Sequence, residues 1–303
     1  MKDWRGPAVL TIGNFDGVHT GHRQILRRVV ALARERGWTP SVLTFDPHPA
    51  RVVAPERAPR LMTTPEQRAA LMRAEGIEQI LIQPFTPEFS RLSPEAFAKD
   101  ILAAKLEAKA VLVGDNFRFG RGHAGDTHTL AELGKQYGFS VEAVPAVHMR
   151  GRPVSSSEIR RRIAAGDVSL AGRMLERCYA IEGPVVKGRG IGSRQTVPTL
   201  NLKPQAEVLP ANGVYITRTA DGPRTWPSVT NIGTRPTFEG NELTIETFLL
   251  GPFAPPTPAA IRVEFLKRLR EERKFESPEA LKRQILKDAT RAQQFFRLLP
   301  SGF

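Results

Sequence analysis

The residues best placed to do chemistry lie in one stretch, Thr11-Ile12-Gly13-Asn14-Phe15-Asp16-Gly17-Val18-His19-Thr20-Gly21-His22. It follows an apolar run, Ala8–Ile12. It leads into a helical pattern over Gln24–Glu35, where Ile25, Leu26, Val29, Leu32 and Ala33 recur at about 3.6-residue spacing. Gly13, Gly17 and Gly21 let a backbone approach a ligand closely. The start of the following helix offers free N–H groups and a partial positive charge, and His19 and His22 at that end add further donors. This is phosphate-binding chemistry. No Gly-Lys-Ser/Thr follows, so the loop is not a Walker A loop, and its glycine spacing is not the dinucleotide fingerprint. His-x-x-His also suits a metal, with no third ligand evident nearby; two surface histidines are the third reading.

Three further motifs share the N-terminal half. Thr44-Phe45-Asp46-Pro47-His48-Pro49 ends a second apolar run. Gly114-Asp115-Asn116-Phe117-Arg118-Phe119-Gly120 ends a later one. Val154-Ser155-Ser156-Ser157-Glu158-Ile159-Arg160 opens a helix with hydroxyls and a guanidinium suited to phosphate. The C-terminal half has its own set. Gly183-Pro184-Val185-Val186-Lys187-Gly188-Arg189-Gly190-Ile191-Gly192 reads as a phosphate flap or as a plain β-turn. After it come Val197-Pro198-Thr199-Leu200-Asn201, Thr230-Asn231-Ile232-Gly233 and Ile245-Glu246-Thr247. A carboxylate such as Glu246, within reach of an alcohol, is a sound general base. Glu264, on a later strand, reads as a solvent-facing residue.

The elements that must position these residues follow two periods. Strand-like runs at Ala8–Ile12, Ser41–Phe45, Gln79–Ile82, Ala110–Val113 and Ser140–Val144 alternate with helical patterns. Thr64-Pro65-Glu66-Gln67 spells a capping box, and Ser93-Pro94-Glu95 starts a helix running to about Leu106. This order predicts parallel βαβ units in an open sheet with helices on both faces. Helices at Glu158–Ala165 and Ser169–Arg177 close that domain. Beyond them lie short strands punctuated by Gly and Pro: Tyr179–Val186, Gly213–Thr219, Pro227–Ile232, Leu243–Leu250 and Ile261–Leu269. They predict a small antiparallel barrel, with a final helix capped at Ser277 and ending near Phe296. The expected domains are 1–177 and 178–303.

Composition is consistent with this. The 303 residues are 41% hydrophobic and 25% charged, which is globular. One cysteine, Cys178, permits neither an internal disulfide nor a cysteine-cluster metal site. No apolar window is long enough to span a membrane and no cleavable signal pattern opens the chain, so a cytoplasmic protein is expected. The net charge of +13 favours anionic partners. With no recognition-helix motif and only 7% aromatic residues, a nucleic-acid partner is not expected.

His19-Thr20-Gly21-His22 resembles the His-x-Gly-His signature of the nucleotidyltransferase superfamily. With the three motifs after it, the segment up to about residue 177 resembles the FMN adenylyltransferase domain of bacterial bifunctional riboflavin kinase/FAD synthetases. The rest resembles the riboflavin kinase domain of the same family. The resemblance implies a Rossmann-like domain with a parallel sheet, then a kinase β-barrel with a C-terminal helix. It implies that Gly13, Phe15, Asp16, Gly17, Gly21, Asn116, Ser156, Ser157 and Arg160 bind ATP beside the catalytic His19 and His22. Asp46, Pro47, His48 and Arg118 would line the flavin side. In the barrel, Gly188, Gly190 and Gly192 would bind ATP, Thr199 and Asn201 would hold Mg²⁺ with its phosphates, and Glu246 would be the catalytic base. Riboflavin and ATP would be substrates, FMN the intermediate and FAD the product of a monomer or weak oligomer.

The chain departs from the family pattern in places. Ser157 replaces the usual threonine and keeps a hydroxyl. Leu200 stands in the alanine place of Pro-Thr-Ala-Asn, Ser193 replaces an arginine, Thr196 a glycine, and a proline-rich loop after Phe253 replaces Asp-Leu-Tyr-Gly. An adenylyltransferase with a degenerate barrel is the alternative these changes raise.

Overall fold

The structure is a computed structural model describing residues 4–186, 199–237, 240–252, 257–273 and 275–299. Gly188, Gly190, Gly192, Ser193 and Thr196 lie outside the described residues, as does most of the loop after Phe253. Contacts divide the chain into two compact units, Met1–Ser156 and Ser157–Phe303.

The first unit holds a five-stranded sheet of β1 (Ala8–Ile12), β2 (Thr39–Asp46), β3 (Gln79–Pro84), β4 (Ala108–Gly114) and β5 (Ser140–Val144), in the order β3-β2-β1-β4-β5. All its pairings are parallel. Helices α1 (Thr20–Arg36), α2 (Pro49–Val53), α3 (Pro65–Ala74), α4 (Pro87–Ser90), α5 (Pro94–Ala96) and α6 (Thr127–Tyr137) connect them.

Side-chain alternation along the strands builds two cores. Val9, Val42, Ala110 and Leu112 pack with Leu26, Val29 and Val30 of α1 and Met72 of α3. Leu10, Ile12, Leu43, Phe45, Val111 and Val113 pack on the other face with Phe97, Leu102, Leu130 and Phe139. Each such aliphatic or aromatic side chain contributes roughly 1.5–3 kcal/mol on burial. Coverage of both faces is why these strands read as unbroken apolar runs.

The capping box forms as written: Gln67 N–H donates to Thr64 Oγ1 at 3.3 Å and Thr64 N–H to Gln67 Oε1 at 3.0 Å. Thr64→Ala is expected to cost about 1 kcal/mol of stability in the first unit, read by denaturant unfolding. The helix expected from Ser93 to Leu106 is present but continues from α5 as a π-helix, Phe97–Lys105. Phe97, Ala98, Leu102 and Leu106 are all buried, and their wide spacing exceeds the α-helical period, so i→i+5 winding keeps them on one face. A two-residue hairpin, β6 (His148–Met149) and β7 (Arg152–Pro153), precedes α7 (Ser156–Ala164).

Helices α7 and α8 (Val168–Leu175), expected to close the first domain, belong by contact with the second unit from Ser157 onward. The reason is packing. Helix α8 buries Val168, Leu170, Ala171, Met174 and Leu175, and Ser169 Oγ donates to Leu266 O at 2.8 Å on a barrel strand.

That barrel is closed, in the order β10-β11-β12-β9-β8-β13, from β8 (Tyr179–Val186), β9 (Leu200–Leu202), β10 (Gly213–Asp221), β11 (Arg224–Thr237), β12 (Gly240–Leu249) and β13 (Ala260–Arg270). Part of its interior is polar: Thr219, Ser228, Thr217, Thr230 and Thr247 are fully buried and form an unbroken hydroxyl chain with links of 2.8–2.9 Å.

Helix α9 (Pro278–Arg297), capped at Ser277 as expected, lays Ala292, Phe295 and Phe296 against Val214, Ile216 and Val229. It is anchored by Asp288, 1% exposed, which accepts from Arg270 Nε at 2.9 Å and from Gln284 Nε2 at 2.8 Å. Asp288→Ala strands a largely buried guanidinium and is expected to cost about 3–5 kcal/mol, read as a lowered unfolding transition of the barrel unit.

Candidate functional site

The loop after β1 leaves the sheet where strand order reverses, with β2 on one side and β4 on the other. In open α/β sheets this is the position that receives ligands. His19 is the N-cap of α1: its Nδ1 accepts the His22 N–H at 3.4 Å. Its ring, 6% exposed, stacks on the half-buried ring of His22 with centroids 3.6 Å apart and planes 17° apart. A Cβ at Gly21 would meet the His19 ring at 3.3 Å, so glycine there leaves room for the stack. Phe15 closes the other side of His22 edge-on, with centroids 5.0 Å apart.

The loop is held by its surroundings. Phe15 (φ 49°) and Val18 (φ 39°) are both buried in the left-handed region, which costs about 1–3 kcal/mol per residue and persists only where neighbours enforce it. Asp16, 1% exposed, supplies much of that enforcement. Its carboxylate accepts the Met62 and Thr63 N–H groups and the Thr63 hydroxyl at 3.0–3.2 Å. Its carboxylate is therefore engaged in holding the loop. Gly17 N–H donates to Thr63 Oγ1 at 3.2 Å, Gly13 N–H to Leu43 O at 3.1 Å, and Ser156 Oγ to Asp16 O at 3.0 Å.

The expected flavin-side residues border this loop in part. His48 is the N-cap of α2, its Nδ1 accepting the Ala50 N–H at 3.2 Å, and its Nε2 lies 3.1 Å from the Asn14 amide, tying the loop after β2 to that after β1. Asp46 and Pro47 are exposed beside it. Asn116 is exposed on the loop after β4, while Arg118 pairs with Asp126 at 3.5 Å. Six phenylalanines, Phe45, Phe85, Phe89, Phe97, Phe119 and Phe117, run in ring contact from the end of β2 to the loop after β4. Ser157, exposed, and Arg160, half-buried, lie on α7 in the second unit. Among the described residues no cluster of three metal-ligating side chains exists, so the His-x-x-His pair finds no third ligand there.

In the barrel, β12 lies between β9 and β11. Glu246 is paired with Asn201 on one side and Asn231 on the other. Directly opposed residues share a face, and Thr199 has the same parity as Asn201. Thr199, Asn201, Asn231 and Glu246 are each half-buried. Sequence reasoning placed three of these together; it gave no role to Asn231. A pocket of about 330 Å³ opens beside the start of α9, lined by Arg273, Arg283, Lys287, Glu276 and Phe275. The Arg273 guanidinium lies 5.0 Å from the Phe275 ring centre.

The family model for FAD synthetase matches residues 2–158, and that for riboflavin kinase matches 175–296. A bifunctional riboflavin kinase/FMN adenylyltransferase of Escherichia coli K12 is 35% identical over 96% of this chain and 93% of its own length. The chain belongs to this bifunctional family. A Pseudomonas fluorescens bifunctional riboflavin kinase/FMN adenylyltransferase is 37% identical over 94% of this chain and 92% of its own. A crystal structure from Streptococcus pneumoniae, described as a macrolide-efflux protein, superposes with a TM-score of 0.85 at 27% identity, covering 99% of this chain and 97% of that one. Among the described residues of this family member, no helix is long and apolar enough to cross a membrane.

Proposed function

We propose that this chain catalyses two ATP-dependent steps of flavin nucleotide synthesis: riboflavin to FMN at the barrel, then FMN to FAD at the α/β unit. The observation that carries the reading is the stacked His19–His22 pair at the mouth of α1, in a chain whose halves match FAD synthetase and riboflavin kinase.

Adenylyl transfer needs no protein nucleophile. A phosphate oxygen of FMN attacks the α-phosphorus of ATP in line; the bond to the leaving oxygen breaks and pyrophosphate departs with the electron pair. Catalysis is positioning and charge neutralisation. His19, His22 and the open N–H groups of the first turn of α1 take up charge on the phosphates. Gly13, Gly17 and Gly21 keep the loop close to them and Phe15 buttresses His22. Asn116 and Ser156 hold the rest of ATP. Asp46, Pro47, His48, Arg118 and the half-buried Phe117 end of the phenylalanine run receive the flavin.

In the barrel, Glu246 takes the proton of the ribityl 5′-hydroxyl as its oxygen attacks the γ-phosphorus and ADP leaves. Thr199 and Asn201, oxygen donors of matching parity beside Glu246, fit Mg²⁺, which takes one or two protein oxygens alongside nucleotide phosphates. The ion, when bound, offsets phosphate charge. The cationic pocket around Phe275 suits an aromatic anion. The enzyme works in the cytoplasm on small-molecule substrates (riboflavin, FMN and ATP), without nucleic acid, as a monomer or weak oligomer.

The test is a product profile. With ATP, Mg²⁺ and riboflavin the chain should yield FMN and then FAD; with FMN, ATP and Mg²⁺ it should yield FAD and pyrophosphate, each separated by chromatography. Conversion of neither flavin would sink the proposal, and conversion of FMN alone would favour adenylyl transfer with a degenerate barrel.

A further inference from the structure

Among the largest fully buried side chains of the molecule is a charged one, Arg68 of α3, 1% exposed. One of its nitrogens, Nη1, donates to Asn14 O at 2.7 Å; among the described residues, Nε and Nη2 have no hydrogen-bond acceptor. A cation removed from water with two of its donors unmet is costly. Its site accounts for its retention. Asn14 O, which also accepts from Thr44 Oγ1 at 3.4 Å, lies two residues before the aspartate that ties this loop to the start of α3. The segment from Asn14 to His19 is thus gripped twice from one helix: its Asp16 carboxylate by the backbone ahead of α3, its Asn14 carbonyl by the guanidinium on α3. Between and beyond those grips lie the two left-handed residues, Phe15 and Val18.

We propose that Arg68 is a positioning residue for adenylyl transfer, fixing the backbone that delivers the His19–His22 pair and keeping a permanent positive charge behind the phosphate-binding loop. This rests on the nucleotidyltransfer reading of that loop. The charge has a defined setting. Burial pushes the guanidinium below its usual range, the carboxylates of Asp16, Asp46 and Glu66 pull it up, and Arg51 pushes it down again. Arginine stays protonated there where lysine would not.

The test uses the full chain with Arg68→Met and Arg68→Lys, following FAD formation from FMN and riboflavin phosphorylation in the same preparations. Arg68→Met should lower kcat for FAD formation about 100-fold, the effect of roughly an ångström of misplacement, and leave riboflavin phosphorylation unaffected. Arg68→Lys should recover part of that loss near neutral pH. Its kcat should then fall as pH rises from about 7 to 9, because a buried lysine loses its proton far below its usual pKa; the parent chain should show no such extra fall. A methionine variant with parental kcat, or a lysine variant with the parental pH profile, would overturn the proposal. If the methionine variant does not fold, the lysine pH profile decides alone. A parent chain making no FAD would overturn the underlying reading instead, which separates the two failures.

Discussion

Replacing His19 and His22 together with alanine is expected to abolish FAD formation while FMN still accumulates from riboflavin. The argument is electrostatic. The two rings form one stacked unit, with centroids 3.6 Å apart, at the N-terminus of a helix. Losing a single preorganised donor to a developing phosphate charge costs about 10²–10³-fold. Losing the unit should remove about 10³-fold or more, with less than additive effects from the single changes because the rings act together. His19 is also the N-cap, worth about 1 kcal/mol. Thermal unfolding of the double variant should therefore show only a small shift. A variant that still forms FAD at the parental rate would show that the pair does not bear on the transfer.

Glu246→Gln should do the reverse: riboflavin phosphorylation lost, FMN adenylylation kept. General-base removal costs about 10²–10⁴-fold, and glutamine keeps the size and polarity of the side chain opposite Asn201 and Asn231. KM for riboflavin should change little, since the lost interaction is made as the proton moves. Full kinase activity in the glutamine variant would remove Glu246 from the chemistry and leave it a strand residue. The two variants together dissect one chain into two reactions, each assayed in the presence of the other's defect.

Much of this was legible from residue patterns. β1, β5 and β8 have the limits their apolar runs predicted, because a strand buried on one or both faces is bounded by the first residues unable to pack there. The histidine pair was legible because few other needs place two imidazoles three residues apart after a glycine turn. What stayed hidden has physical reasons. β9 is three residues long, Leu200–Leu202, too short to carry a period. Nothing in the residue pattern marks Arg68 out from the other basic residues of the chain; only its burial distinguishes it. Asp16 sits among ligand-like residues, and its carboxylate turned inward because residues 62–63 offered N–H groups no pattern announces. The kinship of α7 and α8 with the barrel unit was equally invisible, since an apolar helix face does not name its partner.

The five linked hydroxyls in the barrel interior carry an evolutionary consequence. A Thr→Val change at any of the four threonines, or Ser228→Ala, strands a neighbour's proton or lone pair, at about 1–3 kcal/mol. Exchanging the whole series for hydrocarbon at once leaves nothing stranded. Intermediates on the path between those two interiors are each less fit than either end, so Thr217, Thr219, Ser228, Thr230 and Thr247 are bound to a common fate.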